Sequence, residues 1–212
     1  MKKYIFILFF FFSVAVELNA QICVSGGMGI DLTNTSSLND YISLNNGERR
    51  ADFNTNVEFF GEIGYMINPG LQIGAEYALG LNSYNNSRLG YYDLSYNNHM
   101  PSALAYYVIS GQGYRFKFGG GAGYRFISLD EARANYTVPS HYTASGIGFL
   151  LRADGNTTLG GNLFADISVH MRMDYVGELK GENTAMVNYF AQQKVNLNSF
   201  AVGIRLGLSY YF

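Results

Sequence analysis

Residues 199–212 read Ser199-Phe200-Ala201-Val202-Gly203-Ile204-Arg205-Leu206-Gly207-Leu208-Ser209-Tyr210-Tyr211-Phe212. Every second residue is large and apolar: Phe200, Val202, Ile204, Leu206, Leu208, Tyr210 and Phe212. Between them stand Ser199, Ala201, Gly203, Arg205, Gly207 and Ser209, which are small or polar, and then Tyr211. A period of two defines a strand with unlike faces. A free apolar strand at the end of a soluble chain would template aggregation. The pattern instead predicts the closing strand of a barrel whose apolar face meets lipid.

The other end of the chain points to export. Lys2 and Lys3 precede an apolar run, Tyr4 to Val16, and Glu17-Leu18-Asn19-Ala20 suits cleavage after Ala20. This is the layout of a secretory signal peptide. The run is shorter than the roughly 20 residues that a membrane-spanning helix needs. Residues 1–20 are therefore expected to be a signal peptide and 21–212 the mature barrel domain. Lipidation at Cys23 is disfavoured because Ile22, not a small residue, precedes it. Cys23 is the chain's single cysteine, so no internal disulfide can form.

Without Lys2, Lys3 and Glu17 the chain carries 12 basic and 15 acidic residues, a balance of −3, which implies neither nucleic acid nor an anionic surface as partner. With 25 Gly, 18 Tyr and 16 Phe against 3 Pro, the composition suits strands and turns rather than helices. A mean hydropathy of +0.00 is what a transmembrane barrel produces, since half of each strand is polar.

Seven further alternating segments precede the last. They lie near residues 22–32, 52–67, 71–81, 101–109, 114–129, 142–153 and 158–176, the fourth being the least regular. Turn chemistry at Asn68-Pro69-Gly70, Ser110-Gly111-Gln112-Gly113 and Asp154-Gly155-Asn156 joins some of them tightly. Long, Asn-rich connections at residues 33–51, 82–100, 130–141 and 177–194 join the others. Long and short connections alternate, so an up-and-down, eight-stranded, all-β antiparallel barrel places every long loop at one rim and both termini at the other. A lipocalin-like barrel would turn its apolar face inward. Here the polar face is rich in Gly, Ala and Ser and poor in solvating charge, which suits a narrow interior, so the apolar face is expected outward.

With this strand pattern, loop asymmetry and the terminal Tyr210-Tyr211-Phe212, the chain resembles the small outer-membrane barrels of the OmpA and OmpX type across residues 21–212. The resemblance implies an outer-membrane location in a diderm bacterium, contact with outer-membrane lipid, and a terminal strand that the barrel-assembly machinery reads through Tyr210 and Phe212. It implies no periplasmic domain, a monomer and no cofactor.

The inward face carries charges: Glu58, Glu62, Glu76, Lys117, Arg125, Arg152, Asp166, Arg172, Asp174 and Arg205. Pairing Ile67 with Leu71 sets Glu62 opposite Glu76, and opposed like charges need a cation between them. A network in which Arg125 and Arg205 bridge the two glutamates, with Glu58, Asp166 and Arg172 as further members, is expected to close the lumen. A conducting pore is the competing reading. Gly119-Gly120-Gly121-Ala122-Gly123 lacks the lysine and following helix of a phosphate loop. Ser168, His170 and Asp166 alternate along one strand, about 6.8 Å per two residues, and cannot alone make a triad. His99 and His141 lie in or beside loops without an evident partner. No catalytic, cofactor or metal residues are therefore assigned, and a lipid-modifying enzyme is the alternative of a different class. The long loops, with Tyr84, Tyr91, Tyr92 and Tyr96 among asparagines, read as a solvated rim open to an extracellular ligand.

Overall fold

The structure is a computed structural model. It describes residues 22–46, 54–86, 91–134, 138–182, 185–188 and 192–212. The expected signal peptide, residues 1–20, lies outside the described residues.

Eight strands close a barrel: β1 (Ile22–Asn34), β2 (Asn54–Asn68), β3 (Leu71–Asn86), β4 (Tyr92–Gly111), β5 (Tyr114–Arg133), β6 (Ser140–Gly160), β7 (Leu163–Val176) and β10 (Ser199–Tyr211). Helix α1 (Ser36–Asn46) follows β1, and a two-stranded ribbon of β8 (Val187–Asn188) and β9 (Gln193–Lys194) precedes β10. Each barrel strand pairs antiparallel with its neighbours in the order β1-β10-β7-β6-β5-β4-β3-β2. The last strand therefore closes the ring on the first, as its alternation predicts. All four connections that carry long segments fall at one rim. At the other, the Phe212 amide donates to the Ile22 carbonyl at 2.9 Å and the Tyr211 amide to that of Asn162 at 3.1 Å.

The stagger of the barrel follows from its register. Starting at Leu32, the paired residues run Val202, Met171, Leu151, Gly120, Ala105, Ile73 and Tyr65, and return to β1 at Ile22. One circuit thus descends 32 − 22 = 10 residues. Ten residues at about 3.3 Å against eight strands at about 4.8 Å tilt the strands by roughly 40°, within the range of closed barrels.

The outer wall is apolar from rim to rim. Leu151, Ile63 and Leu206 are 66%, 62% and 61% exposed, and Ile204, Ile167 and Phe149 continue the belt. Soluble monomers seldom expose a contiguous apolar patch beyond a few hundred Å², whereas a transmembrane barrel needs such a band all round. At the upper margin Tyr124 stacks with Phe126 and Tyr175 meets Phe149; at the lower, Tyr210 meets Phe212 and Tyr114 meets Phe116.

Three expectations from sequence need correction. First, β4 is not residues 101–109 but Tyr92–Gly111. Its pattern looked irregular because its apolar residues go both ways: Tyr107 and Ile109 face out, while Leu104, Tyr106 and Val108 pack inside against Leu150 and Met66. Second, Asp154-Gly155-Asn156 is not a turn. β6 runs on to Gly160, and the chain reverses at Gly161, whose φ of +54° lies in the left-handed region that glycine tolerates. Asp154 and Asn156 instead point inward, where Lys117 and Asp166 receive them. Third, the long loops are not a solvated rim. β4, β5 and β6, at 20, 20 and 21 residues, rise well above the 13-residue β1 and β10. The raised parts point Tyr92, Leu94, Tyr96, Ile127 and Leu129 over the barrel mouth. Against them pack Leu38, Tyr41 and Ile42 of α1 and Leu179, Met186, Val195 and Leu197 of the last long segment. A second apolar core, a cap, sits on the barrel.

The helix in that cap has a local cause. Leu38, Tyr41 and Ile42 stand at i, i+3 and i+4, so one face is apolar, and the Asn39 amide donates to the Thr35 carbonyl to open the first turn.

Candidate functional site

Two regions carry organised polar chemistry: the lumen and the cap above it. In the lumen, β2 and β3 hold Glu62 opposite Glu76, as their register requires. Arg152 of β6 lies between the two carboxylates, donating to Glu76 through one terminal nitrogen and to Glu62 and the Tyr106 hydroxyl through the other. Arg205 of β10 donates to Glu76 at 2.8 Å and reaches Glu58 at 2.5 Å. Arg172 of β7 bridges Glu58, at 2.6 Å, and Asp31, and its Nε lies 3.4 Å from Asp174. His170 Nε2 is 3.0 Å from Asp31. Lys117 sits 3.3 Å from Asp154 and 3.9 Å from Glu62. All of these side chains are buried. Buried ions of this kind persist only when paired and hydrogen-bonded.

Arg125 does not bridge Glu62 and Glu76. Its Nε donates to Asp174 at 2.6 Å and its Nη1 to Ser102 at 3.2 Å. The reason is the stagger. The row from Glu62 runs through Glu76 and Ser102 to Gly123, climbing toward the long-loop rim by more than one residue per strand, and Arg125 is two residues further up. Arg152, on the next strand, comes level with the glutamates. Asp166 also stands apart from the arginines. It accepts from the Ser209 hydroxyl at 2.7 and 2.6 Å and from Asn156. Asp31, Asp154 and His170 complete the network. Asp31 and His170 lie on the inward face in the alternation itself; Asp154 was hidden by its resemblance to a turn.

Two glycines make room for this network. A Cβ on Gly148 would stand 2.1 Å from Asp174 Oδ1 and 2.4 Å from Arg125 Nε. One on Gly203 would stand 2.1 Å from Asp31 Oδ1 and 2.6 Å from His170 Cε1. The small-residue face of the strands is thus the space that the long ionic side chains of other strands fill.

Side chains also occupy the lower end of the lumen. At the lower rim Arg115 lies over the Tyr211 ring at 3.7 Å and the Phe164 ring at 5.3 Å. Beside Arg172 and Asp174 a cavity of about 20 Å³ lies beneath the cap, room for roughly one water. Asp31, Glu58 and His170 have ligand atoms within 4.8 Å of one another, as a metal site would. Arg172 and Arg205 already neutralise those carboxylates, so the group does not fit a cation.

The cap is pinned by its own polar centre. Tyr92 donates to Glu131 at 2.8 Å, Tyr41 donates to the same carboxylate at 3.1 Å, and Arg133 reaches both Glu131, at 2.9 Å, and the Tyr41 hydroxyl. Burial and the neighbouring Glu131 push the Tyr41 hydroxyl well above its usual range, so it remains a donor. On the outer wall His99 hydrogen-bonds Tyr77 at 2.6 Å, and His141 Nδ1 meets Asp130 at 2.7 Å. Neither histidine is thus without a partner, and His99 lies within β4 rather than in a loop. Ser128 and Thr143, the nearest paired hydroxyls on those strands, lie one outward row lower. No hydroxyl of the described residues hydrogen-bonds His141, so the acid–histidine pair lacks the nucleophile contact of a hydrolase. Ser168 likewise is not hydrogen-bonded to His170, whose neighbour is Asp31.

Clefts open at the cap among the described residues. One, of about 480 Å³, lies beside the upper wall among Phe126, Ser128, Thr143, Ser145 and Lys180. Another, of about 520 Å³, lies between α1 and the segment around β8 and β9.

No family model matches the sequence, and the curated proteins contain no significant match. Among solved structures, Neisserial surface protein A aligns with 90% of this chain and 97% of its own, at 15% identity and a TM-score of 0.57. Ail, the attachment invasion locus protein of Yersinia pestis, solved with the heparin analogue sucrose octasulfate, aligns with 92% of this chain and all of its own, at 11% identity and a TM-score of 0.55. What these likenesses share with the present chain is the eight-stranded outer-membrane barrel fold.

Proposed function

We propose that the chain is an outer-membrane protein whose work is done at its outer face: a closed, non-conducting barrel that displays a folded cap at the surface of a diderm bacterium. The observation that carries this reading is the division of the molecule. Buried ion pairs pack the middle of the lumen and apolar and aromatic side chains its lower part, and the outer wall is apolar, which leaves the cap as the organised polar surface. A small barrel filled by side chains serves as a stable base rather than a path. Ail, solved with the heparin analogue sucrose octasulfate, shows that a barrel of this fold can hold a ligand.

In this reading the mature chain begins after Ala20, outer-membrane lipid surrounds the belt, and Tyr210 and Phe212 present the terminal strand to the barrel-assembly machinery at the short-turn rim. The barrel acts as a monomer, without cofactor or catalysis. The test is outer-membrane fractionation with a gel that compares heated and unheated samples, followed by protease treatment of intact cells. The expected outcome is a heat-modifiable outer-membrane band whose cap is cut from outside. Vesicles carrying the purified protein should show no solute-dependent swelling. A soluble mature protein, or swelling with small sugars, would overturn the proposal.

A further inference from the structure

We propose that the cleft on the outer wall beside Lys180 holds the phosphate of an outer-leaflet lipid, whose acyl chains lie on the apolar belt below. The inference rests on the reading that the cap faces outward. The cleft, about 480 Å³, falls in the size range of small-molecule sites. Its walls come from β4, β5, β6 and the stretch Gly177–Lys180 that follows β7.

The register sets its polar groups in a row. Ser128 of β5 is paired with Thr143 of β6, and Thr143 with Lys180. Opposed residues of an antiparallel ladder point the same way, about 4.8 Å apart from strand to strand. Two hydroxyls and an ammonium thus stand level on the outside; Thr143 and Lys180 are exposed and Ser128 is half-buried. A bulge brings the lysine there. Val176 lies opposite Gly146 and Lys180 opposite Thr143, so the chain after β7 takes four steps where β6 takes three. The extra residue leaves Gly177 and Glu178 both exposed, turns Leu179 into the cap core and returns Lys180 to the outer face. The amides of Thr143 and Lys180 each donate to the other's carbonyl at 2.9 Å, which fixes the height of the row.

This row suits a phosphate at the head of a lipid. An ammonium only donates, serine and threonine hydroxyls can donate, and phosphate oxygens accept. Glu178 borders the cleft as well, but its carboxylate is paired with Lys194 at 2.7 Å. Asp130, one outward row above Ser128, is paired with His141 at 2.7 Å. Among the described residues Lys180 is in no ion pair, so its charge is the one that the cleft offers. One outward row below, about 6.6 Å along the strands, Phe126 stands opposite Ser145 and His99, and there the belt begins. Tyr124, Ile147 and Phe149 continue it downward, each about half exposed. Acyl chains already cover these residues in a membrane, and the phosphate they carry sits at the height of the row. A free anion would have only the exposed row, where a single charge attracts weakly through water.

The full mature chain is placed in phosphatidylcholine nanodiscs that carry equal small shares of diphosphorylated lipid A and of the same lipid A stripped of its phosphates. Lipid kept by the protein on release is counted by native mass spectrometry. The expected result is one phosphorylated lipid retained, with about tenfold preference over the stripped form. Lys180→Gln should bring the two forms to parity, and the double variant Ser128→Ala, Thr143→Val should lower the preference, both with unchanged heat modifiability. Lys180→Arg should keep the preference, and Glu178→Gln, which takes a carboxylate from the cleft, should keep or raise it. No preference in the wild type, an unchanged ratio in Lys180→Gln, or a fall in Glu178→Gln would each overturn the inference. Inorganic phosphate in large excess should not displace the lipid; displacement would make this a site for a free anion and overturn the lipid assignment. A separate arm labels Leu44→Cys, on the exposed side of α1, with an impermeant maleimide on intact cells, Cys23 being buried. Labelling without lipid preference overturns the lipid site alone, and failure to label overturns the outward orientation on which it rests.

Discussion

Replacing Arg152 by Met separates a staggered lumen from a flat one. Arg152 is 3% exposed and touches three carboxylates, those of Glu62, Glu76 and Asp154. Arg125, the residue that strand alternation alone would place between the glutamates, touches one, that of Asp174. Methionine keeps the approximate volume and removes the charge. Removing one partner of a buried ion pair costs about 3–5 kcal/mol, because the remaining charge stays desolvated. For Arg152→Met part of that cost is offset, since Glu76 retains Arg205 at 2.8 Å and Glu62 retains Tyr106 at 2.9 Å and Lys117 at 3.9 Å. The described lumen holds seven carboxylates, of Asp31, Glu58, Glu62, Glu76, Asp154, Asp166 and Asp174. Against them stand five fully buried cations, of Lys117, Arg125, Arg152, Arg172 and Arg205, with Arg115 half-buried at the lower rim; the buried balance is −2, and the substitution takes it to −3. The loss should therefore stay near 3–5 kcal/mol. With a urea slope of about 2 kcal/mol per molar, the unfolding midpoint in lipid vesicles falls by roughly 2 M. Arg125→Met should cost less, because Asp174 keeps Arg172 at 3.4 Å. Adding Glu76→Gln to Arg152→Met should recover part of the loss. The reasoning is refuted if Arg152→Met unfolds at the wild-type midpoint, or if Arg125→Met is the more damaging of the two.

Three further outcomes follow from the same geometry. Gly203→Ala puts a methyl 2.1 Å from Asp31 and should lower the temperature of heat modification by an amount equivalent to about 1–3 kcal/mol, while Gly61→Ala, which meets nothing within 4 Å, should leave it unchanged. Leu38→Ala empties a fully buried position of the cap core and should cost the cap about 2–5 kcal/mol, read as faster hydrogen exchange over 36–46 with the barrel strands still protected. The raised Tyr41 hydroxyl favours the protonated form in the folded state, so its contribution is complete below the ordinary tyrosine range near about 10 and is lost only as pH climbs through the higher folded value; protease sensitivity of the cap should be flat from neutral pH up to that range and rise above it, and Tyr41→Phe should abolish that rise.

Much of the barrel was legible because its physics is local. Alternation in β10 states which side chains share a face, and Asn68-Pro69-Gly70 sets Glu62 against Glu76 by counting back from the turn. The inward placement of Glu58, Arg172 and Arg205 needs nothing more. The cap was harder to read. Leu38, Tyr41 and Ile42 are helically spaced, but an 11-residue helix among asparagines is marginal by itself and forms against a tertiary surface. That surface comes from Tyr92, Leu94, Tyr96, Ile127 and Leu129, whose strands extend through sequence that carries too many Asn and Ser residues to look like strand.

Side-chain direction in a strand repeats every two residues, so alternation alone gives the face that meets lipid and the set of charges turned inward, and alternating connection lengths give the rim that carries the long segments. Which of those charges meet is fixed only when the ring closes. Partner choice depends on height within the barrel, height depends on a stagger of ten residues around eight strands, and that stagger is settled when Ser199–Tyr211 docks on Ile22–Asn34. The same closure sets Arg152 rather than Arg125 between Glu62 and Glu76, and it carries β4 to β6 high enough to build the surface on which the cap folds.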